Sequence, residues 1–381
     1  MIVKYEGAIH NGTMEGQGRA EYDDGEASVY EGMWENGMRH GTGKLTFTNG
    51  STYSGFWDKD ARRGQGTCHY TNGNTYTGSW KDGKACGTGT QTFGNGDRYD
   101  GDWKDGMMSG KGTYVNANGD TYEGEWTDDE KNGKGRQTFA SAGGGGGRGD
   151  EPEKVAAASA TCAHEWYDGN WKAGAFHGQG EYHFADSGDV YVGSWVGNQM
   201  HGKGKIVYGG DGGEYQGDLW CDLRHGHGVH SAPDSTYDGA WSNDRRHGDG
   251  KLSDKDGNVF EGFFREGKKH GNGQHKTAAG DEIEGVWDNG QLTGQATVQY
   301  KNGDRYTGGF ERGRRSGEGT MFAARTGYEF TGTFEKGVKN GSGRLRLPCG
   351  ASVEGLWILG NLVGNSKFSF APDSEWNDPS Y

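Results

Sequence analysis

The sequence predicts an all-β protein, an elongated single-layer antiparallel sheet of tandem β-hairpins. Three observations predict it. The stretch Tyr76-Thr77-Gly78-Ser79-Trp80, followed by Gly83, Gly87 and Gly89, is one copy of a unit that fills almost the whole chain at a period of about 23 residues. Glycine supplies 77 of 381 residues against only 5 prolines, while aromatics reach 12%, a balance that is neither collagen-like nor ordinarily disordered. Hydrophobic content is 30%, too low for a thick two-layer core, so apolar burial must come mainly from Tyr, Trp and Phe.

Numbered from its first aromatic, the unit starts at Tyr5, Tyr30, Tyr53, Tyr76, Tyr99, Tyr122, Tyr167, Tyr191, Tyr215, Tyr237, Phe260, Ile283, Tyr306, Phe330 and Val353, giving 15 units. The intervals run from 22 to 25 residues, except for 45 between Tyr122 and Tyr167. Repetition therefore overrides the two or three domains that length alone suggests. The alternation in Tyr-x-Gly-x-Trp has period two and puts Tyr, Gly and Trp on one face of a strand. Asn-Gly and Asp-Gly pairs follow, as at Asn36-Gly37 and Asp82-Gly83, and fit hairpin turns because both residue types tolerate positive φ. A Gly-x-Gly element comes next, as in Gly41-Thr42-Gly43; its paired glycines leave room for rings on the facing strand. Apolar positions two and four residues later, such as Leu45 and Phe47, share that face. A second turn, such as Asn49-Gly50, leads to the next unit. Thirty strands at about 4.8 Å spacing would run on the order of 140 Å if straight.

This spacing divides the chain into residues 1–140 with six repeats, a Gly/Ala-rich insertion at 141–162, residues 163–370 with nine repeats, and a tail at 371–381. The insertion's glycines predict flexibility. The fifth position keeps Trp in ten units and becomes Ile9, Leu219, Phe264, Phe310 or Phe334 in the others. Three neighbouring units have weak second strands, where His230, Asp254 and His275 would face the ring side. In the tail, Trp376 and Tyr381 are read as a cap over the open end of the array or as a peptide offered to a partner.

The run Tyr30-Glu31-Gly32-Met33-Trp34-Glu35-Asn36-Gly37-Met38-Arg39-His40-Gly41-Thr42-Gly43 resembles the MORN repeat (membrane occupation and recognition nexus). The match recurs over about nine-tenths of the chain, and the resemblance implies a MORN solenoid. MORN arrays occur in junctional membrane proteins, beside phosphoinositide kinase and SET methyltransferase domains, and in ciliary and protist cytoskeletal scaffolds. With no such enzyme domain in the sequence, the chain is most similar to the stand-alone scaffolds of axonemal radial spokes, basal bodies and protist cytoskeletal collars. That resemblance implies a non-enzymatic protein of the cytoplasm and cytoskeleton, placed in a cilium or flagellum axoneme or a basal body. Its implied partners are other proteins of that assembly, met as a homodimer or a heteromer. Departures from the repeat are Ile283 and Val353 at the leading position and Gly294-Gln295-Ala296 in place of Gly-x-Gly.

A search for chemistry finds no catalytic site. No Gly-Lys pair continues into Ser or Thr as a Walker loop requires, and no Gly-x-Ser-x-Gly elbow is present. Five scattered cysteines without a C-x-x-C pair predict a reducing compartment and no zinc module. The first repeat begins at once, leaving no room for a signal peptide, and no apolar run is long enough to span a membrane. His40, His177, His201, His225, His247 and His270 precede the Gly-x-Gly element; the last five, in successive units, fall roughly 10 Å apart by the period, and all read as turn residues of the repeat rather than as ligands of one ion. No cofactor and no metal are implied. The net charge of −14 argues against nucleic acid. Cation pairs sit in the same loop at Arg62-Arg63, Arg245-Arg246, Lys268-Lys269 and Arg314-Arg315. The last three pairs, with Trp376 and Tyr381, are the candidate partner-binding residues. The alternative function is a membrane–cytoskeleton adaptor that binds acidic phosphoinositides weakly through this basic rim.

Overall fold

The structure, a computed structural model, describes residues 1–23, 28–140 and 164–374. Among the described residues the protein is all β, with thirty strands from Ile2–His10 to Asn361–Ser369 and no helix. Trp376 and Tyr381 lie outside the described residues, as does the 141–162 insertion. The chain forms two compact units, Met1–Met200 and His201–Tyr381. In each, strands pair antiparallel with their neighbours in sequence, so each unit is an open single-layer sheet of tandem hairpins. The ladder is unbroken at the insertion: Glu130–Thr138 pairs with Trp166–Lys172, from Gly133 opposite Trp171 to Thr138 opposite Trp166.

Local chemistry makes each hairpin. Between Val29–Glu35 and Met38–Thr46, Asn36 and Gly37 have φ of 47° and 79°. Positive φ at both central residues is the turn whose twist matches that of paired strands. The return to the next repeat is a wider loop in which the Gly50 amide donates to the Phe47 carbonyl and the Phe47 amide to the Ser51 carbonyl, both at 2.9 Å.

One face carries a row of rings, interrupted where Leu219, Ile283 and Val353 stand in their place. Tyr30 is fully buried and Trp34 is 3% exposed, although only one sheet layer exists. Burial is achieved because the Tyr ring lies flat on two glycines, its own Gly32 and the facing Gly43. The Tyr30 hydroxyl donates to the Met33 carbonyl of the same strand (3.0 Å). Trp34 then meets Tyr30 edge-on at 5.2 Å and the preceding repeat's Tyr5 at 5.6 Å. Its indole N–H reaches back to the Gly18 carbonyl (3.3 Å). The same arrangement recurs through Trp57, Trp80, Trp103 and Trp126. Each T-shaped pair adds about 0.5–1.5 kcal/mol beyond area burial, so the rings join repeat to repeat where no second layer exists.

The two glycines of Gly-x-Gly have different jobs, which corrects the expectation that both make room for rings. Only the second seats the Tyr. The first, Gly41, has φ of 62° beside a register shift between Gly32 and Trp34, where an L side chain is strained. The chain also contains its own control. Where the leading ring is replaced by Ile283, the seat pair is Gly285 with Ala296, and where it is replaced by Val353, Ser366 stands at the seat position. Without a flat ring overhead, a Cβ is accommodated.

Both rims are stitched across repeats. The Arg39 amide donates to Asp60 Oδ1 (2.9 Å) and the Met108 amide to Asp129 Oδ1 (2.7 Å) on one rim. On the other, the Ala117 amide donates to Asp97 Oδ1 and the Ala140 amide to Asp120 Oδ1, both at 2.8 Å. Turn acids thus fix the spacing between hairpins. The three second strands expected to be weak are full-length, Leu223–Ala232, Arg245–Asp254 and Lys268–Lys276. Their polar residues do face the rings: His275 and Asp254 border a cavity of about 230 Å³ beside Phe260.

Candidate interaction surfaces

The cation pairs do not form one basic rim, because adjacent strand residues point to opposite faces. Counting back by twos from the seat glycine, Arg246, Lys269 and Arg315 fall on the ring face. Arg246 lies 5.7 Å from the Tyr237 and Phe264 ring centres, Lys269 4.7 Å from Phe260, and Arg315 5.3 Å from Phe334. The same row holds Arg39 and Arg62, each 4.4 Å from a Trp ring centre, Arg224 at 4.2 Å, and Lys339 at 4.9 Å. Burial against the rings pushes the Arg246 and Lys269 pKa values down; neighbouring Arg224 and Arg246, respectively, add repulsion. His230 and His275 are pushed down by burial first, then by these cations. These groups cover the row of rings and complete the core. Sequence reasoning assigned them to a binding strip; the two-residue alternation through Gly248, Gly250 and Leu252 was the signal that puts Arg246 with the rings.

The other member of each pair stays out. Arg245 is bound to Glu266, while Lys268 and Arg314 are exposed. Arg63 likewise pairs with Asp58. The histidines before Gly-x-Gly stand on the face opposite the rings. His40 Nδ1 is 3.1 Å from Glu35 Oε2, and His270 Nδ1 is 3.3 Å from Asp288 Oδ1. His201 packs on Trp220, and His247 on Phe263. Among the described residues no group of three or more His, Cys, Asp or Glu is placed to hold a metal ion.

On the ring face the seat glycines are covered by Tyr, and the rings pack against Trp, Arg and Lys, leaving smaller cavities such as the one beside Phe260. A larger hollow lies instead on the opposite, outer face of the second unit. It measures about 1160 Å³ and runs from His227 and Asp238 to Thr297 and Thr307. Its floor is strand backbone at Gly239, Gly250, Gly262, Gly273 and Gly285, where the outer side chains stand around it. Asp238, Asp249, Glu261 and Glu284 line it, against Lys251 alone among lysines and arginines. His227 Nε2 is 3.2 Å from Asp238, and Lys251 Nζ is 3.5 Å from Glu261. The last hairpin presents a different surface: Ile358, Leu359, Phe368 and Phe370 are exposed there, Leu359 at 75%.

Comparison with known proteins agrees with this geometry. Two solved structures to which the chain is similar give low overall agreement. The TCP10 domain of Danio rerio CPAP in complex with a peptide of Danio rerio STIL is 10% identical, with 84% of this chain and 99% of that chain covered and a TM-score of 0.22. A fungal alcohol oxidase of the AA5 family, in complex with copper, is 12% identical over 76% of this chain and 69% of that one, with a TM-score of 0.13. At those scores neither bears on fold or function. No curated relative matches the sequence. The MORN repeat, by contrast, matches fourteen segments: 5–27, 30–52, 53–75, 76–98, 99–121, 122–143, 167–188, 191–211, 215–236, 237–259, 260–282, 284–305, 306–324 and 330–350. The fifteenth unit, led by Val353, lies beyond those segments but forms the hairpin Ser352–Ile358 with Asn361–Ser369. With its ring seats, turns and hairpins recurring in step with those matches, this chain belongs to the MORN-repeat family.

Proposed function

We propose that the protein is a non-enzymatic scaffold that binds other proteins of a cytoskeletal assembly, in a cilium or flagellum axoneme or at a basal body. One observation carries the reading. The hairpins commit their glycines, most of their rings and, where present, an inner cation to holding their neighbours, and leave the outer face as a periodic row of exposed side chains. Such a face suits recognition along its length, and it lacks the enclosure that shields a reaction from water. Partners are met as part of a homodimer or a heteromeric complex. The tagged full-length protein is expected to stay with detergent-extracted cytoskeletons in its own cell; quantitative solubilisation by detergent would count heavily against this placement.

A second reading, an adaptor for phosphoinositides, rests on Lys268 and Arg314, which remain exposed. Flotation with phosphoinositide liposomes, salt-sensitive and lost on reversing those two charges, would favour it.

A further inference from the structure

We infer that the hollow on the outer face of the second unit takes an extended, basic segment of a partner protein, with a lysine or arginine at every third residue. This deepens the scaffold reading and rests on it. The spacing follows from the ladder. Asp238 stands opposite Lys251, Lys251 opposite Glu261, Glu261 opposite Gln274, and Gln274 opposite Glu284. Asp238, Glu261 and Glu284 are therefore two strands apart, roughly 10 Å at each step. A polyproline-type segment has three residues per turn and rises about 3.1 Å per residue, so one face repeats roughly every 9 Å. Laid across the strands, it would present a cation to each carboxylate in turn.

Size and charge favour this occupant. At about 1160 Å³ the hollow exceeds the roughly 300–1,000 Å³ of small-molecule pockets, and it is open along its length. Four carboxylates against one lysine attract a basic chain and repel nucleic acid and anionic lipid. The carboxylates can be reached by a partner: beside their contacts with His227 and Lys251, the Asp238 side chain is 56% exposed and that of Glu261 69%. Val286, exposed on the outer face, supplies apolar contact for intervening residues. Charge spacing alone does not define the site. The first unit repeats it at Asp100, Glu123 and Asp168, two strands apart, and none of these three lines the hollow.

That coincidence provides the control. Fluorescence anisotropy of the full-length protein would use two labelled peptides, four Lys-Pro-Pro repeats and the same composition with its four lysines in one block. The spaced peptide is expected to bind roughly tenfold tighter than the block, a gain of the size that a few exposed charge pairs provide. Asp238→Asn/Glu261→Gln/Glu284→Gln should abolish that preference. Asp100→Asn/Glu123→Gln/Asp168→Asn, which removes the same charge, should keep it. Equal loss in both variants, no loss in the first, or no binding of either peptide to the wild type overturns the inference. Cytoskeletal retention of the wild type separates the two readings. Retention without spacing-specific peptide binding removes the groove assignment alone, whereas specific peptide binding without retention removes the cytoskeletal placement alone.

Discussion

Replacing Gly89 by Ala should loosen the array locally, and the size of the effect can be worked from one ring. Gly89 lies in strand Lys84–Thr92, opposite Gly78, where backbone conformation does not demand glycine. An added Cβ would lie 2.6 Å from Tyr76 Cζ and 2.8 Å from Cε2, inside any allowed contact. Tyr76 has nowhere to go: it is 1% exposed, meets Trp80 at 5.1 Å and Trp103 at 5.0 Å, and donates to the Ser79 carbonyl at 3.0 Å. Overpacking of this kind costs about 1–3 kcal/mol, and displacing the hydroxyl loses about 1 kcal/mol. Reduced freedom of the unfolded chain returns about 0.4–1 kcal/mol. The net is about 2 kcal/mol, which is roughly a thirtyfold rise in local opening. Amide exchange in Thr75–Lys81 and Lys84–Thr92 reads it directly, and suits a repeat array better than a global melt. In a Tyr76→Ile background, copying the natural pairing of Ile283 with Ala296, Gly89→Ala should be neutral or slightly stabilising. Unchanged exchange in the single variant, or an equal penalty in both backgrounds, would refute the ring-seat account.

Two further predictions test the ring face. Burial pushes the Tyr53, Tyr237 and Tyr306 hydroxyls up from 10 to about 12, and those of Tyr30, Tyr76 and Tyr99 further. The folded state thus favours neutral Tyr, so this stability is complete below pH 10 and is lost as pH rises from 10 through 12 and above. Far-UV circular dichroism and tyrosinate absorbance should change together in that range; tyrosinate forming near pH 10 with the sheet intact would contradict it. Arg62→Ala should destabilise by about 1–2 kcal/mol, because it removes a cation over Trp80 and a 2.6 Å hydrogen bond to the Gly83 carbonyl. Arg63→Ala, on the outer face, should stay within about 0.5 kcal/mol by denaturant titration, and equal penalties would erase the distinction between the faces.

The hairpins were legible in the sequence because period two, turn glycines and ring spacing all point the same way. Tyr76 and Gly89 could be paired on those grounds before any coordinates. The split of Arg245 from Arg246 was equally available, since Arg246, Gly248, Gly250 and Leu252 alternate in step, but a dipeptide of like charge reads as one patch. Gly41 was less accessible. Its positive φ comes from a register shift, and a bulge leaves no mark on the residue pattern that a ring seat does not also leave. The hollow over Asp238, Glu261 and Glu284 was not legible at all. Asp100, Glu123 and Asp168 have the same spacing, so residue type and period do not single out the row that lines the hollow.

The claim that recognition belongs to the outer face is tested most directly by carboxylate footprinting of the full-length protein, free and retained in extracted cytoskeletons. Asp238, Glu261 and Glu284 should label readily in the free chain and be protected in the retained one, while Asp100, Glu123 and Asp168 label alike in both. Equal labelling of Asp238, Glu261 and Glu284 in the two states would contradict it.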